Sequence, residues 1–352
     1  MADPFNDDIN PFPIVRNPAR NLPAGFFIAL PLADSVPTGT HTMPIPTRTP
    51  IPPSRSLILA AFAAVYLIWG STYLAIRISI ETMPPFLMAG LRFVIAGGLL
   101  YGFLRWNGVA APTRRQWGTA TVLGFLLLTA GNSVIVWAEQ RVSSSVAALI
   151  VCTQPVWFAL SDWIRPGGRR PRAITGLGIA IGLAGVVWLV AGATGVHSGD
   201  GRDTPQLLAV LGACVCWSAG SVFGRKWDKP TSPLLGAAMQ MLCGGTTSLV
   251  VAAIRGEGSD WNWGALSQRS VLAFGYLVVF GSWIAYSAYV YLLQVTTPAR
   301  VSTYAYVNPV IAVLLGSLVL NESVTGRMLI AGAVTIGGIV LLTLPDRRPR
   351  DA

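Results

Sequence analysis

From residue 57 to residue 344 the chain is a succession of long apolar runs separated by short polar breaks. The runs are Leu57–Ile78, Phe86–Leu104, Trp117–Ala138, Ser143–Trp163 and Ile174–Gly192, then Leu207–Phe223, Leu234–Ile254, Val271–Leu293, Val301–Leu320 and Met328–Leu344. A helix of about 20 apolar residues, rising 1.5 Å per residue, covers the hydrocarbon of a bilayer. No run alternates apolar and polar residues in the manner of a strand, and in lipid only helices or closed barrels satisfy the backbone. The pattern predicts an all-α integral membrane protein with ten transmembrane helices.

The ten runs fall into two sets of five that share landmark residues. A shift of 148 residues brings Trp69 onto Trp217, Tyr73 onto Ser221, Arg77 onto Arg225, Pro85 onto Pro233, Arg92 onto Gln240 and Gly97 onto Gly245. From the third run the shift becomes 154, where Gln140 meets Gln294 and Gln154-Pro155-Val156 meets Asn308-Pro309-Val310. The matches keep one order, which predicts a duplicated unit. An odd number of spans per unit turns the second copy over, so the expectation is two inverted five-helix repeats around a pseudo-two-fold axis in the membrane plane. Carriers use this architecture because the two halves can exchange outward-open and inward-open shapes around a midplane site.

Composition sharpens this picture. The 352 residues are 53% hydrophobic and 11% charged, whereas soluble domains carry roughly 25% charged residues. The net charge of +10 would suit a polyanion partner, but its distribution suits a membrane better. Arg105, Arg114, Arg115, Arg165, Arg169, Arg170, Arg172, Arg225, Lys226, Lys229, Arg347, Arg348 and Arg350 all follow even-numbered spans. The positive-inside rule then places both termini in the cytoplasm of a multi-pass protein of the cell (inner) membrane. The expected partners are a lipid bilayer and a small-molecule substrate, with no nucleic acid, and the oligomeric state is open.

Residues 1–56 differ from the rest in carrying many prolines, and they read as a disordered leader. The remaining divisions are residues 57–192 for the first repeat, 207–344 for the second and 345–352 for a cytoplasmic tail. Cys152, Cys214, Cys216 and Cys243 all lie inside predicted spans, where they act as small buried hydrophobes rather than a disulfide framework. Cys214 and Cys216 diverge by about 200° around a helix and cannot chelate together. The two histidines, His41 and His197, lie outside the spans. A histidine metal site or a Ser–His pair at the midplane is therefore excluded. No metal, no cofactor and no enzymatic activity are expected.

The stretch Trp69-Gly70-Ser71-Thr72-Tyr73-Leu74-Ala75-Ile76-Arg77, the Leu91-Arg92-Phe93 segment, the midspan prolines and the two five-span halves resemble the EamA-domain permeases of the drug/metabolite transporter superfamily, most of all their YedA-type branch. The resemblance covers about residues 56–345 and implies an inner-membrane carrier with ten helices around a central cavity; export by alternating access is the expected function. It implies no particular substrate.

Several residues are candidates for such a cavity. Pro155 and Pro309 each remove a hydrogen bond in midspan and are expected to act as hinges, or else as ordinary kinks held by packing. Gln154 and Asn308 stand beside them. Trp69, Tyr73 and Arg77 recur at intervals of four on one face of the first span, as Trp217, Ser221 and Arg225 do on the sixth. Both tryptophans fall too deep for the aromatic belts. Arg92 lies about 10 Å inside the second span, where a charge is costly unless it meets water or a partner. Its alternatives are a substrate contact or a structural tie to helix-end carbonyls, Glu81 or Glu139. Asn132 and Tyr286 correspond under the longer shift, and Tyr304 adds an aromatic face. The expected substrate site is thus Trp69, Tyr73, Arg92, Asn132, Gln154, Trp217, Tyr286, Tyr304 and Asn308. Aromatic faces with a few amides suit amphipathic organic molecules, cationic or aromatic ones included. Glu139 is the first candidate for proton coupling. The rival to a carrier is a lipid scramblase or flippase-like protein.

Overall fold

The computed structural model describes residues 54–168, 173–196, 203–259 and 262–343. The expected leader, apart from its last three residues, and the expected tail lie outside the described residues. Along the chain run helices α1 Arg55–Ser79, α2 Pro85–Trp106, α3 Arg114–Ala138 and α4 Ser144–Ile164, and α5 Ala173–Val196. They are followed by α6 Thr204–Lys226, α7 Pro233–Ile254, α8 Gln268–Val295 and α9 Pro298–Leu320, and α10 Gly326–Thr343. Among the described residues there is no strand. Eight helices, all but α5 and α10, are long and apolar enough to cross a membrane. The other two carry shorter apolar stretches, Gly176–Leu189 and Gly326–Gly338.

Local sequence explains where the helices begin. Pro85, Pro233 and Pro298 occupy first turns, where an amide hydrogen has no partner to lose. The side chains of Thr113, Ser143, Ser232, Ser267 and Thr297 each accept from a backbone N–H in the first turn that follows.

Small residues decide how closely the helices approach. A Cβ on Gly97 of α2 would meet the Leu242 nitrogen of α7 at 2.8 Å, and one on Gly245 would meet the Val94 nitrogen at 2.7 Å. Only glycine lets these backbones touch, the usual device where no hydrophobic force drives apolar helices together in lipid. The outward faces carry exposed Leu59, Leu67, Leu99, Leu272, Leu314 and Leu318, a surface suited to acyl chains rather than water.

Two carboxylates tie helix ends at one end of the bundle. Glu257, just past α7, accepts from the backbone nitrogens of Phe86 (2.8 Å) and Leu87 (3.0 Å) at the start of α2. Glu322, just past α9, accepts from the nitrogens of Ser144 (3.0 Å) and Ser145 (3.1 Å) and from both serine hydroxyls at the start of α4. Asn321, the one non-glycine residue with positive φ (53°) among the described residues, turns the chain so that Glu322 follows the helix end directly. Negative charge on the amide ends of helices is favourable on both dipole and hydrogen-bond grounds.

Four helices depart from regular α geometry away from their ends, and α6 finishes in a 3-10 turn at Gly224–Lys226. Residues Phe125–Ser133 of α3 and Leu277–Tyr286 of α8 are π-helical. Helix α4 breaks at Cys152 and Thr153, and Pro155 sits in the first turn of the segment that resumes at Gln154. Helix α9 breaks at Ser302 and Thr303, and Pro309 lies inside the continuous segment Tyr304–Leu320. The break in α4 therefore coincides with its proline, and the break in α9 precedes Pro309 by six residues. These irregular segments bring backbone and side chains to the centre of the bundle.

Candidate functional site

Five aromatic rings fill the centre. Trp69 meets Trp217 edge to face at 5.5 Å, Tyr304 edge to face at 5.2 Å and Tyr289 at 5.0 Å between centroids. Tyr286 stacks on Tyr289 at 6.3 Å. The polar edges of these rings are satisfied internally. Trp217 Nε1 donates to the Tyr289 hydroxyl (2.8 Å), which also bonds Ser221 Oγ (2.7 Å). Trp69 Nε1 donates to the Gly281 carbonyl in the π-helical part of α8 (3.2 Å).

Against this cluster lies a small hollow of about 60 Å³, well below the usual range of small-molecule sites, about 300–1,000 Å³, so an organic ligand needs it to open further. Eight of the nine expected substrate residues line it: Trp69 and Tyr73 of α1, Arg92 of α2, Asn132 of α3, Gln154 of α4, Trp217 of α6, and Tyr304 and Asn308 of α9. Tyr286 does not. It stands behind Trp217 at 6.3 Å, and its hydroxyl donates to Gln240 Oε1 at 2.6 Å. Thr72, Ile76, Ile135, Val151 and Cys214 complete much of the wall. Their residue types recur throughout the spans, so no pattern in the chain singled them out.

The amides are held firmly. Gln154 Nε2 donates to the Cys214 carbonyl (3.3 Å) and to Ser218 Oγ (3.2 Å), joining α4 to α6. Asn308, with its amide in the orientation that satisfies both groups, donates to the carbonyls of Tyr66 (2.9 Å) and Tyr304 (3.1 Å). Asn132 belongs to the π-helical part of α3, and its buried Oδ1 has no partner.

Arg92 is 2% exposed. Its Nε donates to Ser282 Oγ at 2.7 Å, and its guanidinium carbon stands 4.8 Å from the centre of the Phe93 ring. None of the structural ties expected from the chain forms. Glu81 faces Arg269 at 3.9 Å, and the Glu139 carbonyl accepts from Arg77. The Ser282 contact joins positions 190 residues apart, and no spacing in the chain announces it.

Glu139 is fully buried, at 0% exposure, and both carboxylate oxygens lack a partner. It lies outside the hollow, at the end of the bundle where Glu322 clamps α4. Arg225, the counterpart of Arg77 under the shorter shift, is exposed. Among the described residues no group of three or more His, Cys, Asp or Glu side chains is arranged to hold a metal.

The hollow thus combines aromatic walls, amides and one guanidinium among apolar helices. The signature of the EamA-like transporter family matches residues 55–191 and again residues 204–344. The inner membrane transporter YedA of Escherichia coli (strain K12) is 40% identical over 289 residues, which cover 82% of this chain and 90% of YedA. The aromatic amino acid exporter YddG of Ancylobacter novellus is 28% identical over 302 residues, covering 83% of this chain and 99% of that protein. One solved crystal structure superposes with a TM-score of 0.60 at 25% identity, covering 83% of this chain and 99% of its own. The chain belongs to the EamA-like transporter family, and it is a multi-pass membrane transporter.

Proposed function

We propose that the protein exports a small organic molecule across the inner membrane by alternating access. In this reading the ten apolar helices all span the bilayer, as two inverted five-helix repeats with both termini in the cytoplasm. The observation that carries the proposal is the convergence of Trp69, Arg92, Asn132 and Gln154 from the first half with Trp217, Tyr304 and Asn308 from the second on one hollow. A site shared by two halves changes access when the halves rock against each other. The separate family matches to the two halves support the repeat, and the export activity named for YddG supports the direction.

Movement would concentrate in α4 and α9, where the backbone is already interrupted beside the hollow. Pro155 and Pro309 serve as the hinges of that movement. Glu139 is the candidate for proton coupling, since a buried carboxylate without hydrogen bonds is costly in its charged form and gains from taking up a proton.

The test is reconstitution into proteoliposomes with a panel of metabolites and drug-like molecules, with and without a pH gradient. Saturable counterflow of any panel member supports the carrier. Dye-lipid scrambling with no solute flux would replace it with a scramblase.

A further inference from the structure

Among the described residues no acidic side chain pairs with the guanidinium of Arg92. Its Nη1 is buried and makes no hydrogen bond. Among the described residues no Asp or Glu lines the hollow it faces. Lodging a charge in hydrocarbon surroundings is costly unless water or a counter-charge meets it. The fold nevertheless makes room for this one. A Cβ on Gly281 would meet Arg92 Nη2 at 2.9 Å, so glycine at that position leaves the guanidinium its place. Ser282 then fixes it through Nε, leaving Nη1 free.

The corresponding positions in the second half show what a closed version looks like. Gln240 and Tyr286, which match Arg92 and Asn132 under the two shifts, satisfy each other through a 2.6 Å hydrogen bond. Arg92 and Asn132, both lining residues of the hollow, instead leave the buried Nη1 and Oδ1 unpartnered. The Gln240–Tyr286 pair is closed on itself, and the Arg92–Asn132 pair is not.

We infer that the substrate is a singly charged organic carboxylate with an aromatic or apolar body, its carboxylate bound by Arg92 and its body packed on Trp69, Trp217 and Tyr304. The inference rests on the carrier reading and narrows its substrate class. An aromatic cage alone would equally suit a cation. A fixed positive charge in the same low-dielectric hollow, with no acid to offset it, repels cations strongly and attracts anions. One arginine and no lysine in the lining match one negative charge, where a phosphate monoester dianion would call for more. Guanidinium is also the group best shaped to hold a carboxylate.

The test uses matched sets built on the same aromatic and aliphatic bodies, such as 3-phenylpropanoate, its methyl ester and 3-phenylpropylamine, with octanoate and its ester and amine beside them. Binding to the purified full-length protein is read by thermal shift and by competition, and flux by counterflow in proteoliposomes. Carboxylates are expected to bind at least tenfold more tightly than their esters or amines. Arg92→Gln is expected to abolish that preference while its unliganded Tm stays near wild type, and Arg92→Lys to retain part of it. Should Arg92→Gln not fold, the charge preference of the wild-type protein decides alone. Equal or better binding of amines or esters, failure of every carboxylate to bind, or an undiminished carboxylate preference in Arg92→Gln would each overturn the inference. Counterflow of neutral or cationic solutes without a carboxylate preference overturns it while the carrier reading stands. Arg92-dependent binding of carboxylates with no flux of any solute supports the inference and removes the carrier reading.

Discussion

Trp69 and Trp217, 148 residues apart and matched by the internal shift, meet edge to face at the centre of the bundle with ring centroids 5.5 Å apart and planes at 81°. Edge-to-face pairs contribute about 0.5–1.5 kcal/mol beyond the area they bury. The two rings also form adjoining walls of the hollow. Their replacements should differ in kind. Trp217 is anchored by its donation to Tyr289, so Trp217→Phe leaves the buried Tyr289 hydroxyl with only Ser221 and should lower stability by about 1 kcal/mol. Trp69→Phe forfeits the longer bond to the Gly281 carbonyl, and its effect should fall more on flux than on Tm. Thermal unfolding in detergent and counterflow, run on both variants, check the split.

The Glu322 clamp offers a second test. One carboxylate holds two backbone amides and two hydroxyls at the first turn of α4. Glu322→Ala leaves those donors unmet beside the buried Glu139 and should cost about 1–3 kcal/mol. Glu322→Gln keeps the shape but removes the charge and should cost less. Melting temperatures of the two variants give the order, and an Ala variant as stable as wild type would remove the clamp.

How much of this was legible in the chain varies with the kind of interaction. Periodic apolar runs located the helices within a few residues, because length and apolarity alone decide what a bilayer accepts. The internal shift paired Trp69 with Trp217, and the two rings meet in the structure. Tyr286 was misplaced by one layer of rings, because Gln240 draws its hydroxyl away from the hollow. The π-helical segments of α3 and α8 had no local signature, and neither did the pairing of Arg92 with Ser282. A glycine such as Gly281 is read only once its neighbour is known. Nothing in the chain marks Glu322, for the amides it meets lie 177 and 178 residues away.

The loop between α6 and α7 contains a group whose titration should be visible. Lys229 is half-buried, and burial, helped by the nearby Arg225 charge, pushes its ammonium down to about 8. Below that pH both the folded and the unfolded chain carry the proton, and the folded state bears the cost of holding a charged amine away from water. Between about 8 and the ordinary lysine value of 10.5 the unfolded chain binds more protons than the folded one, so stability should rise with pH across that window. Lys229→Met should raise Tm at pH 7 and flatten its rise between pH 8 and 10.

Close packing of α2 on α7 makes a steric prediction. At Gly97 a Cβ would meet the Leu242 nitrogen at 2.8 Å and the Ala238 carbonyl oxygen at 2.9 Å. Both are backbone atoms and cannot turn aside, so Gly97→Ala must separate the helices, at a cost of about 1–3 kcal/mol. Gly102, further along the same helix, has nothing within 4 Å of an added Cβ. Gly102→Ala should therefore be neutral or slightly stabilising. Yield of monodisperse protein and Tm, compared between the two variants, decide whether the α2–α7 contact is as tight as described.

The two prolines, alike in sequence, should behave differently when replaced. Pro155 stands where α4 resumes after its break, and the alanine variant restores an amide hydrogen at the point where the helix is interrupted. That hydrogen can help close the break and stiffen α4. Pro309 lies within a continuous helical segment, so alanine there adds a hydrogen bond without repairing the break at Ser302 and Thr303. Pro155→Ala should accordingly slow counterflow more than Pro309→Ala, with membrane insertion intact in both and the double variant slowest. Equal initial rates for wild type and the double variant, at matched amounts of reconstituted protein, would remove both prolines from the transport cycle.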